Sequence, residues 1–168
     1  MKTKEMVVGA LLGALALLIP IACGGFLGIV FGPFSATLAA HVPVFLSMLF
    51  GPWVAVMVAG ISTFGFLIKL GPIVAARAAM HIIVVLIGTQ LLKRGWSYTK
   101  VLWALLPIHG LLEALIVIPL GFTLQDAGLV VGVGSMIHHG MDVMITLFVY
   151  QALKKVYPFP TTLQAAKN

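Results

Sequence analysis

Charge is scarce in this sequence. Only 8% of its 168 residues are Asp, Glu, Lys or Arg, and the acidic residues number four. A soluble domain carries about 25% charged residues. A single cysteine, Cys23, excludes an intramolecular disulfide framework. No GxxxxGK[ST] run occurs, so no loop cradles the phosphates of ATP. No HExxH occurs, and no nucleophile stands beside a base, so the chain is not read as an enzyme. Internal repeats and low-complexity runs are missing too. The apolar stretches are continuous rather than alternating, which argues against a membrane strand barrel.

What remains is apolar. Hydrophobic residues make up 61% of the chain, and the mean hydropathy is +1.16. The fold class this predicts is an all-α integral membrane protein. A bilayer core of about 30 Å needs roughly 20 apolar residues as helix. Six segments qualify, some slightly short: 5–22, 34–50, 52–69, 72–92, 101–119 and 130–153. They are expected to form one six-helix domain over 1–168, with 157–168 a frayed tail. Gly51-Pro52 and Gly71-Pro72 mark tight connections. Pro43 and Pro107 are expected to bend the second and fifth helices. The N-terminal run up to Cys23 looks like a lipoprotein signal. However, Pro20 stands where such signals usually have Leu, and the run serves equally as the first of an even set of spans.

The net charge of +6 does not point to nucleic acid, because the basic residues sit at helix ends. Lys2 and Lys4 precede the first segment, Lys93, Arg94 and Lys100 follow the fourth, and Lys154, Lys155 and Lys167 follow the sixth. Six spans with both termini cytoplasmic place all of these inside. The stretch CGGFLGIVFGP, residues 23–33, then becomes an apolar outer loop, read either as a lid or as an interfacial re-entrant stretch.

Ionisable residues inside a span are costly and mark candidate sites. Thr37 and His41, Arg77 and His81, His109 and Glu113, and His138, His139 and Asp142 fall in four of the segments. Arg77/His81, His109/Glu113 and His138/Asp142 are i,i+4 pairs, each on one helix face. At about 1.5 Å of rise per residue, Arg77, Glu113, His41 and His138 lie at similar depths, roughly 8–13 Å below the outer surface. This is the layout of a pocket open to the outside. The plainer alternative is a set of packing contacts between helices. A metal-ion transporter or a histidine-based membrane metalloenzyme is the other sharp alternative. Against it, the adjacent His138 and His139 diverge by about 100° on a helix and do not converge on one centre; no metal ligands are assigned. On the first segment, Gly9, Ala10, Gly13 and Ala14 make small-xxx-small stripes, which suit either a partner helix or packing within the chain.

Taken together, the chain resembles the substrate-binding S component of energy-coupling factor (ECF) vitamin transporters. The likeness runs through residues 34–68, FSATLAAHVPVFLSMLFGPWVAVMVAGISTFGFLI, and residues 76–94, ARAAMHIIVVLIGTQLLKR. With HGLLEALIVIPLGF at 109–122 it looks most like the predicted niacin-specific group. The resemblance implies that Ala10 and Ala14, with Gly9 and Gly13 beside them, meet a coupling transmembrane subunit. Through that subunit two ATPases would drive reorientation of the whole S component in the lipid bilayer. ATP would be used by those partners, with no cofactor in this chain and no nucleic acid partner. It also implies a vitamin site beneath the loop 23–33, with Gly25, Phe26 and Phe31 in the lid. Arg77, His41, His81, Glu113, His138, Asp142, Thr37 and Phe34 are the expected lining. Nicotinate is a small planar anion, and Arg77 is suited to its carboxylate. Pantothenate would use Arg77 equally well, and a pyridoxine-type vitamin would favour Glu113 or Asp142.

Overall fold

The computed structural model describes residues 3–32, 34–157 and 159. Lys2, Pro33, Lys167 and most of the expected tail lie outside the described residues.

Glycine and proline set the helix boundaries. Gly51 (φ 103°, ψ 170°) and Gly71 (φ 84°, ψ −175°) occupy a backbone region open essentially to glycine alone. Each is followed by a proline at the first helical position, where the missing N–H costs nothing. The result is two abrupt turns between apolar helices.

In chain order, α1 is Thr3–Leu18, prolonged by a wider turn at Ile19–Cys23 and a short helical turn at Gly24–Leu27. A hairpin follows, β1 (Gly28–Phe31) and β2 (Phe34–Thr37). Then come α2 (His41–Ser47, with a 3-10 turn Met48–Phe50), α3 (Pro52–Leu70) and α4 (Pro72–Lys93). The fifth helix, α5, is Tyr98–Val117, and α6 is Val133–Leu153, led in by a wide turn at Asp126–Gly132. Among the described residues, five helical stretches are long and apolar enough to cross a membrane.

Segment 34–50 departs from the single helix expected of it. Residues 34–37 are a strand, paired antiparallel to 28–31 in the register Gly28↔Thr37 to Phe31↔Phe34. Only His41–Phe50 is helical. At about 1.5 Å per residue that piece is roughly half a bilayer core in length. Pro43 sits in the first turn of α2, where it breaks no hydrogen bond, so the expected bend there does not arise. Helix α5 continues through Pro107.

The helices pack mainly on their chain neighbours, α3 on α4, α4 on α5 and α5 on α6, while α1 lies on α3 and α2 wedges between α1 and α6. The core includes Phe45 and Met48 of α2, Val58 of α3, Val85 of α4 and Leu102 and Leu105 of α5. Exposed Leu11, Leu15, Phe64, Leu111, Met144 and Phe148 leave an apolar outer surface, as lipid requires. Trp53, Trp96 and Trp103 are exposed near helix ends. Lys4 lies over the Tyr157 ring at 4.8 Å, which brings both ends of the described chain to one end of the bundle.

The small-residue stripe of α1 divides. Gly9 and Gly13 are buried against α3, where an added Cβ would stand 2.6 Å from Met57 Cε and 2.6 Å from Ile61 Cδ1 respectively. Their close approach is therefore used within this chain. Ala10 and Ala14 are on the exposed face.

Candidate binding site

The hairpin has one outward and one inward strand. All four residues of β1 are exposed, while Phe34, Ala36 and Thr37 of β2 are buried. Gly25, Phe26 and Phe31 of the expected lid are exposed, with Phe26 and Phe31 at 74% and 72%. Beneath β2 lies a cavity of about 20 Å³ whose lining includes Ser35, Thr37, His41, Phe66, Arg77, His81, Glu113 and His138. That is room for about one water molecule.

Arg77 of α4 is 4% exposed and bonds across to α5. Its Nε and Nη2 both donate to Glu113 Oε2, at 2.9 and 2.6 Å. The Ser135 hydroxyl donates to the same oxygen from α6. Nη1 donates to the Ser35 carbonyl at 3.1 Å, tying the guanidinium to the hairpin. The Phe34 ring covers it, 5.1 Å from Cζ. Gly134 makes room for that ring, since a Cβ there would stand 3.0 Å from it.

Asp142 of α6 anchors the other side. Oδ1 accepts the Ala39 N–H at 2.7 Å, and Oδ2 accepts the His41 N–H at 3.0 Å. Oδ2 also faces His41 Nδ1 at 2.8 Å and His138 Nε2 at 3.3 Å. Asp142 thus satisfies the open backbone donors at the start of α2, as a capping carboxylate does, but from a distant helix. His138 Nε2 also lies 3.0 Å from the Thr37 carbonyl of β2.

Between the two carboxylates the histidines run in a chain. His41 Nε2 meets His81 Nε2 at 3.0 Å, and His81 Nε2 meets His109 Nε2 at 3.1 Å. His109 Nε2 is 3.1 Å from Glu113 Oε1, and its Nδ1 meets His139 Nδ1 at 3.0 Å. His139 Nε2 donates to the Leu102 carbonyl at 3.0 Å. All five histidines are buried.

The structure therefore gathers Arg77, His41, His81, Glu113, His138 and Asp142 into one network, with Phe34 and Thr37 as its roof. Two of the i,i+4 pairs are in direct contact, His109 with Glu113 and His138 with Asp142. No hydrogen bond is found between Arg77 and His81 among the described residues; both turn to Glu113. Sequence reasoning did not single out Ser35 or Ser135, nor the central place of His109. Ser35 acts through its backbone carbonyl and Ser135 through a single hydroxyl, neither of which a residue pattern marks. The i,i+4 spacing paired His109 with Glu113, but His109 was not among the residues expected to line the site.

The chain is 32% identical to the niacin transporter NiaX of Lactococcus lactis subsp. cremoris (strain MG1363). The match takes in 99% of this chain and 82% of that protein. No protein-family model matches the chain, and no solved structure does.

Proposed function

The chain belongs to the family of the niacin transporter NiaX, and we propose that it is the niacin-binding subunit of an ECF-type importer in the bacterial cytoplasmic membrane. The observation that carries this reading is the likeness to NiaX over nearly the whole chain. The buried site supports it from the chemical side. Arg77 holds its Nη1 edge toward β2, where, among the described residues, the Ser35 carbonyl accepts from it. When the hairpin lifts, that edge is free to take the carboxylate of nicotinate, while Nε and Nη2 keep their bonds to Glu113. Phe34 then covers the ring, and a histidine serves the ring nitrogen.

In this reading His41–Phe50 with the hairpin completes a six-span arrangement whose termini are cytoplasmic. The exposed Ala10 and Ala14 meet the coupling subunit. Two ATPases acting through that subunit reorient the loaded protein, since the sequence has no phosphate-binding loop of its own.

The test is calorimetric titration of the purified chain with nicotinate, nicotinamide, pantothenate and pyridoxine. Uptake of labelled nicotinate is then measured in cells with and without the ATPase module. Binding selective for nicotinate, with uptake that requires the module, is the expected result. Selective binding of pantothenate or pyridoxine would move the substrate assignment, and uptake independent of any ATPase would remove the ECF mechanism.

A further inference from the structure

We infer that His41, His81 and His109 form a binding site for one divalent transition-metal cation of the zinc type, with the Glu113 carboxylate beside it. The three residues come from α2, α4 and α5, and their ligand nitrogens all lie within 4.8 Å of one another. The two consecutive separations are 3.0 and 3.1 Å. Metal–nitrogen bonds of about 2.0–2.1 Å in a tetrahedral site place ligand nitrogens about 3.3 Å apart.

The tautomers follow from the partners. A carboxylate only accepts, so His41 carries its proton on Nδ1, toward Asp142, and presents a lone pair at Nε2. A carbonyl only accepts, so His139 carries its proton on Nε2, toward Leu102, and presents a lone pair at Nδ1. His109 faces an acceptor on each side, the His139 lone pair at Nδ1 and Glu113 Oε1 at Nε2; with its proton on Nδ1, its Nε2 is bare toward the carboxylate, a contact that a cation between them would relieve. The bare nitrogens of His41 and His109 thus converge on His81 Nε2, and Glu113 Oε1 stands 3.1 Å from His109 Nε2 and 3.7 Å from His81 Nε2. A single proton on His81 Nε2 cannot serve all three acceptors. His81 has a second place for that proton, because its buried Nδ1 has no hydrogen-bond partner among the described residues. With the proton on Nδ1, His81 offers a third lone pair to the same point. His41 and His109 have the hydrogen bond on the far ring nitrogen that orients metal-binding histidines, while His81 has none among the described residues.

Charge favours the same occupant. In this buried cluster one guanidinium stands against two carboxylates, Glu113 and Asp142. The other converging set, His41, His138 and Asp142, is a weaker candidate. There Asp142 already accepts two backbone N–H groups, and His138 Nε2 is directed at the Thr37 carbonyl.

The test uses the full chain, freed of any histidine tag, purified in detergent and stripped with a chelator. Calorimetric titration with Zn²⁺, without vitamin, is expected to give one ion per chain. Titration with Co²⁺ is expected to give the intense visible band of a tetrahedral centre. His81→Gln and His109→Gln should each weaken Zn²⁺ binding more than tenfold, while Cys23→Ser leaves it unchanged. If neither variant folds, the wild-type Co²⁺ spectrum decides. A weak octahedral spectrum, no uptake, or equal uptake by His81→Gln would overturn the site. Nicotinate titration of the same sample keeps the two readings apart. Zinc without nicotinate would leave this site standing and remove the niacin assignment, and the reverse result would do the opposite.

Discussion

The backbone N–H of Ala39 donates to Asp142 Oδ1 at 2.7 Å across 103 residues of sequence. Ala39 is held there at φ 67°, the left-handed conformation that residues with a Cβ adopt at a cost. One carboxylate on α6 thereby fixes the turn between the hairpin and α2, and with it the placement of His41.

Asp142→Asn is accordingly expected to loosen the roof of the site as well as remove a charge. An amide offers one acceptor oxygen where the carboxylate uses both, so at least one buried donor loses its partner. The expected loss is about 2–4 kcal/mol, read by thermal or denaturant unfolding in detergent. An unfolding midpoint equal to that of the wild type would show that Asp142 does not hold the turn.

At position 39 itself, Val should cost about 1–3 kcal/mol, because a β-branched side chain is poorly tolerated at positive φ. Gly should be neutral or stabilising, as the relief of strain outweighs the extra freedom of the unfolded chain. Unfolding curves of the two variants check the order. If Val proved the more stable, the left-handed turn would be absent in solution.

Removing Arg77 alone leaves Glu113 buried without its cation. Arg77→Ala is expected to lose about 3–5 kcal/mol together with nicotinate binding. The pair variant Arg77→Met/Glu113→Leu should recover most of that stability, since no buried charge is stranded, and still fail to bind nicotinate. Unfolding and calorimetry on both proteins separate the structural share of Arg77 from its share in binding. Nicotinate binding by the pair variant would end the carboxylate-clamp assignment.

On α1 the two faces should answer differently. Ala14→Leu lies on the exposed face and should leave folding and nicotinate binding intact while cellular uptake falls to background. Gly13→Leu should instead damage the fold by about 1–3 kcal/mol, because it drives into Ile61. Parallel measurements of binding, melting and uptake check this. Normal uptake by Ala14→Leu would remove that face from the coupling contact.

The long helices were legible because runs of about 20 apolar residues leave little choice in a bilayer. Gly51-Pro52 and Gly71-Pro72 were legible because that dipeptide combines a glycine-only conformation with a helix start. Segment 34–50 was not. FSATLAAHVPVFLSMLF is apolar throughout, so periodicity does not separate strand from helix. The left-handed turn at Ala39 carries no glycine to announce it. In the site, the i,i+4 spacings identified the helix faces correctly for His109/Glu113 and His138/Asp142. The adjacent His138 and His139 drew attention away from metal ligation, and they do diverge, His138 to Thr37 and Asp142, His139 to His109 and Leu102. The nitrogens that converge belong to three separate elements, a meeting set by tertiary packing and invisible to local spacing.

A cavity of about 20 Å³ beneath the hairpin has a kinetic consequence. A ring-sized solute finds no volume there until β2 withdraws Ser35 and Phe34 from the guanidinium. In the proposed function, capture is then gated by a first-order opening step. The observed association rate should rise with solute concentration only to a plateau set by that opening, well short of the diffusional limit. The same gate works in reverse. On that proposal, escape also waits on reopening of the strand, so residence would be longer than the individual contacts alone imply.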